Sequence, residues 1–389
     1  MVLLGREITV LGAGIGGLTA ALCLAARGAR VTVLEQAPEI REMGAGLQIS
    51  PNGRCVLQAL GLGETLDAAT IRARAVVLRD FADGREVLRM PLEANDGFRL
   101  THRADLIDLL ADAARAAGIT LRLGCKVDAV ELEDGAHPVL RLADGTSETA
   151  EILVGADGLH SQVRKVVERP VAPFFTGQVA WRMVLPQSVP PEPEASVFMG
   201  PGRHVVSYPL REGRERNVVA VEERDRWTTE GWTHKDDPMR VARAFASFAP
   251  QVRNWLKAAQ TVHVWGLFRH EVAARWHKDG AVLVGDAAHP TLPFLAQGAN
   301  MALEDAWVLA DSLAQADSRE AGFALYQSRR EARVRRTVQA ANGNARNYHL
   351  QLGPVRSMAH TGLSLFNRFA PTVPLRKFDW LYGKDVTRG

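Results

Sequence analysis

Gly12, Gly14 and Gly17 form a G-x-G-x-x-G run between a short apolar stretch, Glu7 to Leu11, and a helix-like one, Leu18 to Arg27. That spacing suits a dinucleotide. Gly12 permits a tight turn, Gly14 lets the backbone approach a pyrophosphate, and Gly17 lets helix and strand pack closely, with the helix N-terminus facing the phosphates. Gly28 stops the helix, Arg30 to Leu34 reads as a second strand, and Glu35 ends it. A carboxylate there accepts from ribose hydroxyls. The rival reading is a glycine-rich turn with no ligand. It requires strand, helix, Gly28, Val31 and Glu35 to fall in place by chance.

Two later runs repeat the pattern of a buried strand ending in a turn. Ile152 to Gly158 passes through Asp157-Gly158 into Ser161 and Arg164. Asp157 can accept from hydroxyls or fix the loop, and Ser161 reads as an N-cap. Ala281 to Pro290 continues through Pro293 and Gln297-Gly298-Ala299-Asn300 to Ala306. It reads as a strand, a sharp turn at Gly285-Asp286, a loop and an anion-friendly helix start. Arg103 precedes the amphipathic Asp105 to Ala117; a guanidinium at a helix start opposes the dipole. That fits an anionic neighbour or a solvated arginine. Arg41 to Asn52 is glycine-punctuated, either a plain connection or a wall of the cofactor site with Arg41 near phosphates. In Arg203 to Leu210, His204, Val206 and Tyr208 share one face by period two. Four residues span about 13 Å, so His204 and Tyr208 could meet the two ends of one small ring compound. A half-buried sheet face with a satisfied His and Tyr explains them at least as well.

The remaining patterns supply the elements that must hold these residues. Gly53 to Leu66 reads as a helix, and Ala75 to Met90 as two strands around an Asp83-Gly84 turn. Ile119 to Cys125, Val127 to Leu132 and Val139 to Leu142 read as a small strand series. From Phe174 to about His263, alternating segments predict an antiparallel sheet followed by a helix over Pro238 to Phe248: a substrate-side domain inserted into the nucleotide domain. The chain is helical from Leu303, and the helix bearing Arg329, Arg330, Arg333, Arg335 and Arg336 is expected to be a solvated or subunit-facing surface.

Composition bounds the answer. The 389 residues are 47% apolar and 23% charged, with a net charge of +3. That suits a soluble globular protein of one large or two medium domains. The charge is too small to argue for nucleic acid. Cys23, Cys55 and Cys125 are scattered without C-x-x-C spacing, so neither a disulfide framework nor a thiolate metal site is expected, and a reducing cytoplasm is. No apolar run reaches the roughly 18 residues of a transmembrane helix, and no cleavage-type site follows the apolar N-terminus. H-E-x-x-H metal spacing and a G-x-S-x-G nucleophile elbow are absent.

Together the three runs resemble the single-component FAD-dependent aromatic hydroxylases, the para-hydroxybenzoate hydroxylase-like flavoprotein monooxygenases. The resemblance rests on Gly12, Gly14 and Gly17 with Ala21, Gly28, Val31 and Glu35; on Asp157-Gly158 with Ser161 and Arg164; and on Gly285-Asp286 running to Gly298-Ala299-Asn300. It extends to the tail Trp380 to Asp385 and is greatest for the salicylate, 3-hydroxybenzoate 6- and 6-hydroxynicotinate hydroxylase branch. It implies an α/β fold. A Rossmann-like FAD-binding domain of glutathione reductase type would occupy 1–73, 99–172 and 265–347. An inserted antiparallel-sheet substrate domain would occupy 74–98 and 173–264, and a C-terminal helical tail 348–389.

The resemblance also implies roles. Glu35 would hold the adenosine ribose, and Arg41, Arg103 and Asp286 would contact pyrophosphate and ribityl groups. The amides of Gly298, Ala299 and Asn300 would face the flavin's pyrimidine end, and Asp157-Gly158 would serve both FAD and NAD(P)H. His204 and Tyr208 match a His-x-x-x-Tyr pair lining the substrate pocket. His204 would remove or hold the phenolic proton, Tyr208 would orient the far end of the ring, and Pro293, Leu47 and Gln48 would border it. Gln48 stands where the hydroxynicotinate enzymes have His, which argues against that substrate. Arg182 could bind a substrate carboxylate or be structural, and His289 reads as structural.

The implied reaction is NADH- or NADPH-consuming hydroxylation of a small phenolic acid, such as salicylate or 3-hydroxybenzoate, through a flavin C4a-hydroperoxide. FAD is the implied cofactor and molecular oxygen a co-substrate. No metal, nucleic acid or membrane is implied, and the protein would be a cytoplasmic monomer or homodimer. The rivals are a flavoprotein acting on a larger or non-phenolic ring and a flavin-binding protein without oxygenase activity.

Overall fold

The computed structural model describes residues 2–40, 46–92, 97–169, 171–226, 234–370 and 372–388, and within 344–347 the backbone alone. The chain opens with β1 (Glu7–Leu11), α1 (Ile15–Ala25), β2 (Arg30–Leu34), β3 (Gly46–Ile49), α2 (Pro51–Ala59), α3 (Gly63–Ala69) and β4 (Ile71–Arg72). Then come the hairpin β5 (Ala75–Asp80) and β6 (Glu86–Pro91), β7 (Arg99–His102), α4 (Arg103–Ala116) and β8 (Thr120–Arg122). β9 (Val127–Glu131), β10 (Val139–Leu142) and β11 (Ser147–Thr149) lead to β12 (Ile152–Gly155) and α5 (Gln162–Val167). The long strands β13 (Phe174–Pro186), β14 (Glu194–Gly200), β15 (Arg203–Leu210) and β16 (Glu215–Glu223) follow, then β17 (Lys235–Asp236), α6 (Pro238–Ala244), α7 (Pro250–Ala258) and β18 (Val262–Arg269). The chain closes with β19 (His277–Lys278), β20 (Ala281–Leu283), α8 (Gly298–Gln315), α9 (Arg319–Tyr348), α10 (Gly353–Phe369), α11 (Val373–Arg376) and α12 (Asp379–Tyr382).

Two large sheets organise the molecule. The six-stranded sheet runs β19-β20-β12-β1-β2-β8 and is parallel except at its β19 edge. Its strands β12 and β20 are apolar end to end, as strands covered on both faces must be. Ile152, Leu153, Val154, Ala281, Val282 and Leu283 are all buried, under α1 and α8. The eight-stranded sheet runs β17-β18-β13-β16-β15-β14-β5-β6, antiparallel except where β5 meets β14. The segment 74–98 thus contributes β5 and β6 to it. One face, carrying Trp181, Met183, Val205 and Val218, packs on Phe245, Phe248 and Leu256 of the α6–α7 region. The opposite face turns toward the parallel-sheet domain.

Several expectations are corrected. The helix expected over Gly53 to Leu66 is two helices. Gly61 takes φ +78, and Leu62 N–H donates back to Leu57 O, a glycine-type helix stop. Ile119 to Cys125 does not join the small sheet β9–β11; β8 pairs with β2 and extends the parallel sheet. The helix expected to Phe248 stops at Ala244, and Pro250 starts another. β18 runs to Arg269, past the boundary expected at 264. The arginine-rich helix is not simply a surface: Arg330 is 1% exposed, its Nε 2.7 Å from Asp305, its Nη1 bonded to Glu304, while Arg333 Nη2 lies 2.7 Å from Glu304.

Candidate active site

Parallel registry brings the three motifs together. Leu11 pairs with Gly155, and Gly155 with Leu283, so the turns after β1, β12 and β20 leave the sheet at the same level. Ligands of open α/β sheets bind at this carboxyl edge. The glycines are needed for close approach. A Cβ on Gly12, at φ +105, would lie 2.5 Å from Ala156 O, and one on Gly17 1.9 Å from Gly12 O. Among the described residues, no atom beyond Gly14's own chain neighbours and helix lies within 4 Å of where its Cβ would be, so that backbone faces open space. Glu35 stands beside it, its carboxylate accepting from Ala13 N at 2.8 Å and Ala37 N at 2.9 Å.

Asp157 resolves toward fixing its loop. Its Oδ1 accepts from the Ser161 hydroxyl at 2.5 Å and its Oδ2 from Gln162 N at 2.7 Å, with Gly158 at φ +72 between them. Ser161 Oγ caps α5 by accepting from Arg164 N. Arg164 then donates to Glu271 O at 2.8 Å and Ala287 O at 3.5 Å, tying the second motif to the third.

The third motif ends in a helix start with no side-chain cap. Gln297, at the cap position, is drawn away: its Nε2 donates to Ser50 Oγ at 2.9 Å and its Oε1 accepts from Asn52 at 3.2 Å. Met301 N–H is the first of the helix to find a backbone acceptor, Gln297 O at 2.8 Å. The Gly298, Ala299 and Asn300 amides before it are therefore presented outward. The Asn300 side chain is buried and occupied, donating to Gln48 O and Ala296 O and accepting from Ser50 N. It staples β3 to α8, leaving only its backbone amide for a ligand. Ala296 is left-handed, at φ +52, a strain held by that Asn300 bond.

Asp286 is exposed to solvent, 3.9 Å from where a Gly298 Cβ would be. Its carboxylate nevertheless lies among protein groups. Burial raises its pKa, against His289, Arg103 and His270, which lower it. Arg103 opens α4 nearby. His289 is structural, its Nε2 2.5 Å from buried Asp305. Burial pushes the Asp305 carboxyl up, but His289 and Arg330 hold it at about 2. Arg41 lies outside the described residues.

The substrate-side residues fall in rows across one face of the long sheet. His204, Val221, Ala180 and Trp265 form one row; Val206, Val219, Arg182 and His263 the next; Tyr208, Asn217 and Val184 the third. Arg182 therefore shares the face of His204 and Tyr208, two strands or about 10 Å from Val206. Leu292 and Phe294 of the third motif's loop cover this face. The Phe294 ring centroid is 5.7 Å from that of His204, with exposed Pro293 beside it. At the other end Gly46 meets Tyr208. A Cβ there would lie 2.4 Å from the Tyr208 ring and 2.8 Å from Asn217 Cγ. Gln48, two residues on, shares that side of β3, whereas Leu47 packs on the main core rather than toward Tyr208.

His204 is buried, and its Nδ1 lies 2.6 Å from Nε2 of His349. Burial holds its pKa well below the ordinary value, and His349 adds to the effect. Burial also raises the Tyr208 phenol, against Arg182, which lowers it. Sequence reasoning missed two residues here. Asn217 Oδ1 accepts from Gly46 N at 2.9 Å, but its buried Nδ2 has no hydrogen-bond partner among the described residues. His349 follows the last helix of the expected cofactor domain, and nothing local marks it as a neighbour of His204.

The FAD binding domain family matches residues 6–341 of the chain. Over 392 residues the chain is 37% identical to the 3-amino-4-hydroxybenzoate 2-monooxygenase of Streptomyces cremeus, covering 98% of this chain and 95% of that one. It is 34% identical over 397 residues to the 3-hydroxybenzoate 6-hydroxylase of Polaromonas naphthalenivorans (strain CJ2), covering 97% and 96%. Among solved structures it matches Klebsiella pneumoniae HpxO complexed with FAD and uric acid, with a TM-score of 0.81 and 26% identity over 95% of this chain and 96% of that one.

Proposed function

The chain belongs to the FAD binding domain family, and from that premise we propose that it is an FAD-dependent, NAD(P)H-consuming monooxygenase that hydroxylates a small phenolic acid of the hydroxybenzoate class. FAD suits the cradle on the open space before Gly14, the uncapped amides of α8 and the accessible Asp286. Gly12, Gly14 and the start of α1 hold the pyrophosphate. Glu35 holds the adenosine ribose, and Arg103 and Asp286 the pyrophosphate and ribityl groups. The Gly298 to Asn300 amides meet the ring end that gains negative charge on reduction. The loop fixed by Asp157 and Gly158 lies alongside. Bound FAD supplies electrons from NADH or NADPH and activates molecular oxygen.

His204, neutral because burial disfavours its cation, takes the phenolic proton. The phenolate then carries more electron density at its ortho and para carbons. A positioned base of this kind contributes about 10²–10⁴-fold. Arg182 pairs with the substrate carboxylate through charge-assisted hydrogen bonds. Tyr208, kept protonated by burial, donates at the far end. Pro293 and Gln48 border the ring. The cofactor domain is 1–73, 99–172 and 270–347, and the substrate domain 74–98 and 173–269, the boundary moved from 264 by β18. The three unpaired cysteines suit a reducing cytoplasm. No helix among the described residues is long and apolar enough to cross a membrane. A monomer or homodimer without nucleic acid completes the reading.

One observation carries it: His204, Arg182 and Tyr208 share a sheet face, and a loop of the cofactor side lies over His204. The relatives' names place the ring hydroxyl away from the carboxylate, which favours 3-hydroxybenzoate or 3-amino-4-hydroxybenzoate over salicylate. Flavin reduction and oxygen uptake by the holoenzyme, with each nucleotide and each of these acids, test this. One of the first two acids is expected to accelerate both processes and emerge hydroxylated. Reduction rates that no acid changes would overturn the reading.

A further inference from the structure

His204 is one end of a chain of contacts that reaches the surface. Its Nδ1 is 2.6 Å from His349 Nε2, and His349 Nδ1 is 2.9 Å from Glu223 Oε1. Glu223 is exposed, in a surface depression lined by Pro201, Gly202, Arg203, Glu223 and Gln351. We propose that His349 and Glu223 relay the substrate's phenolic proton between His204 and the surface. The proposal rests on the reading of His204 as the phenol's base.

Hydrogen-bond directions fix the tautomers. A carboxylate can only accept, so His349 Nδ1 carries a proton. Neutral His349 then has a bare Nε2, which accepts from His204 Nδ1–H. That leaves a lone pair on His204 Nε2, as a base requires. The Gln178 amide, 3.3 Å from His349 Nδ1, is the longer competitor. Glu222, on the other side of β16, is taken by Arg203 and Arg224 at 2.8 Å each. Those two cations are thereby paired, and Glu223 is left to His349 and to Gln351, 2.6 Å from its Oε2. Tyr348 and Phe294 pack on the His204 ring at 5.3 and 5.7 Å and bring no charge.

The transfer balances. The phenol's proton bonds to His204 Nε2, the His204 Nδ1 proton passes to His349 Nε2, and the His349 Nδ1 proton passes to Glu223 and then to water. Both rings end neutral in the opposite tautomer, so no imidazolium stays in a site that penalises buried charge. On product release the path reverses: a proton taken up at Glu223 reprotonates the phenolate and resets both rings. His349 and Glu223 touch no substrate and are positioning residues.

Stopped-flow mixing of the FAD-loaded enzyme with 3-hydroxybenzoate or 3-amino-4-hydroxybenzoate, without NAD(P)H, reads phenolate formation by absorbance. In Glu223→Gln and His349→Asn, substrate Kd is expected to stay within about twofold, while phenolate formation slows roughly tenfold or more. In Glu223→Gln the rate is also expected to rise with buffer concentration, as small buffers replace the lost terminus. A bracing role would not give buffer dependence. Wild-type rates and an unchanged pH profile in both variants would overturn the relay. Glu223 is at the surface, so its variant decides the matter should His349→Asn not retain FAD. If the wild-type enzyme forms no phenolate with either acid, the fault lies with the reading of the site instead.

Discussion

At the scale of single residues, His204 links position to pH. Its folded-state pKa lies well below the ordinary 6.5 because of burial. As pH falls, the unfolded chain takes up the proton first, so this histidine's contribution to stability is intact above pH 6.5 and is lost below it. Burial shifts His349 and His102 the same way. The melting temperature is expected to fall as pH drops from about 7 to about 5, less steeply in His204→Phe. Identical slopes in the two proteins would remove His204 from that account. Hydroxylation by the variant should fall about 10²–10⁴-fold with FAD still bound. Period two alone puts His204 and Tyr208 on one face, so that pair is legible in the sequence. Arg182 and Asn217 join them only through the pairing of β13, β16 and β15, which no local pattern records. His349 arrives from 145 residues away.

At the scale of elements, α8 matters most, because its first turn presents the amides of the third motif. Asn300, Gln297 and Asn52 hold that turn to the β3–α2 segment, and Arg330 and Arg333 of α9 hold its flank through Glu304 and Asp305. A run of arginines reads as a solvated face because arginine is seldom fully buried. The carboxylates that draw two of them inward lie on a different helix. Removing one partner of such a buried group leaves uncompensated charge. Arg330→Met should therefore cost about 3–5 kcal/mol in urea denaturation and weaken FAD retention. A loss under about 1 kcal/mol would show that the network contributes little. The glycine motifs, by contrast, were readable because each is local, a strand and its turn.

At the scale of the whole molecule, the cofactor cradle belongs to one core and the His204 face to another. The sequence patterns distinguish the two by texture, continuous apolar strands against alternating ones. They do not show that β5 and β6 complete the second sheet, because β5 pairs in parallel with β14, far along the chain. Since the cradle draws on the turns of three strands, FAD binds only the folded chain. A hundredfold excess over Kd is expected to add about 2.7 kcal/mol. Scanning calorimetry of FAD-stripped and reloaded protein measures this; a melting temperature independent of FAD would contradict it.

The order of strands in the parallel sheet has a consequence for synthesis. Leu11 emerges early, yet its level in the sheet is shared with Gly155 and Leu283. A nascent chain that has made β1, α1 and β2 has the glycine run but no cradle. Until β20 and the first turn of α8 arrive, Ile152 to Val154 can pair with β1 but leave their other edge and one apolar face uncovered, the situation in which growing chains aggregate. Pairings this distant also slow folding. Flavin capture is therefore one of the last events in maturation, and chaperone demand should end when it occurs.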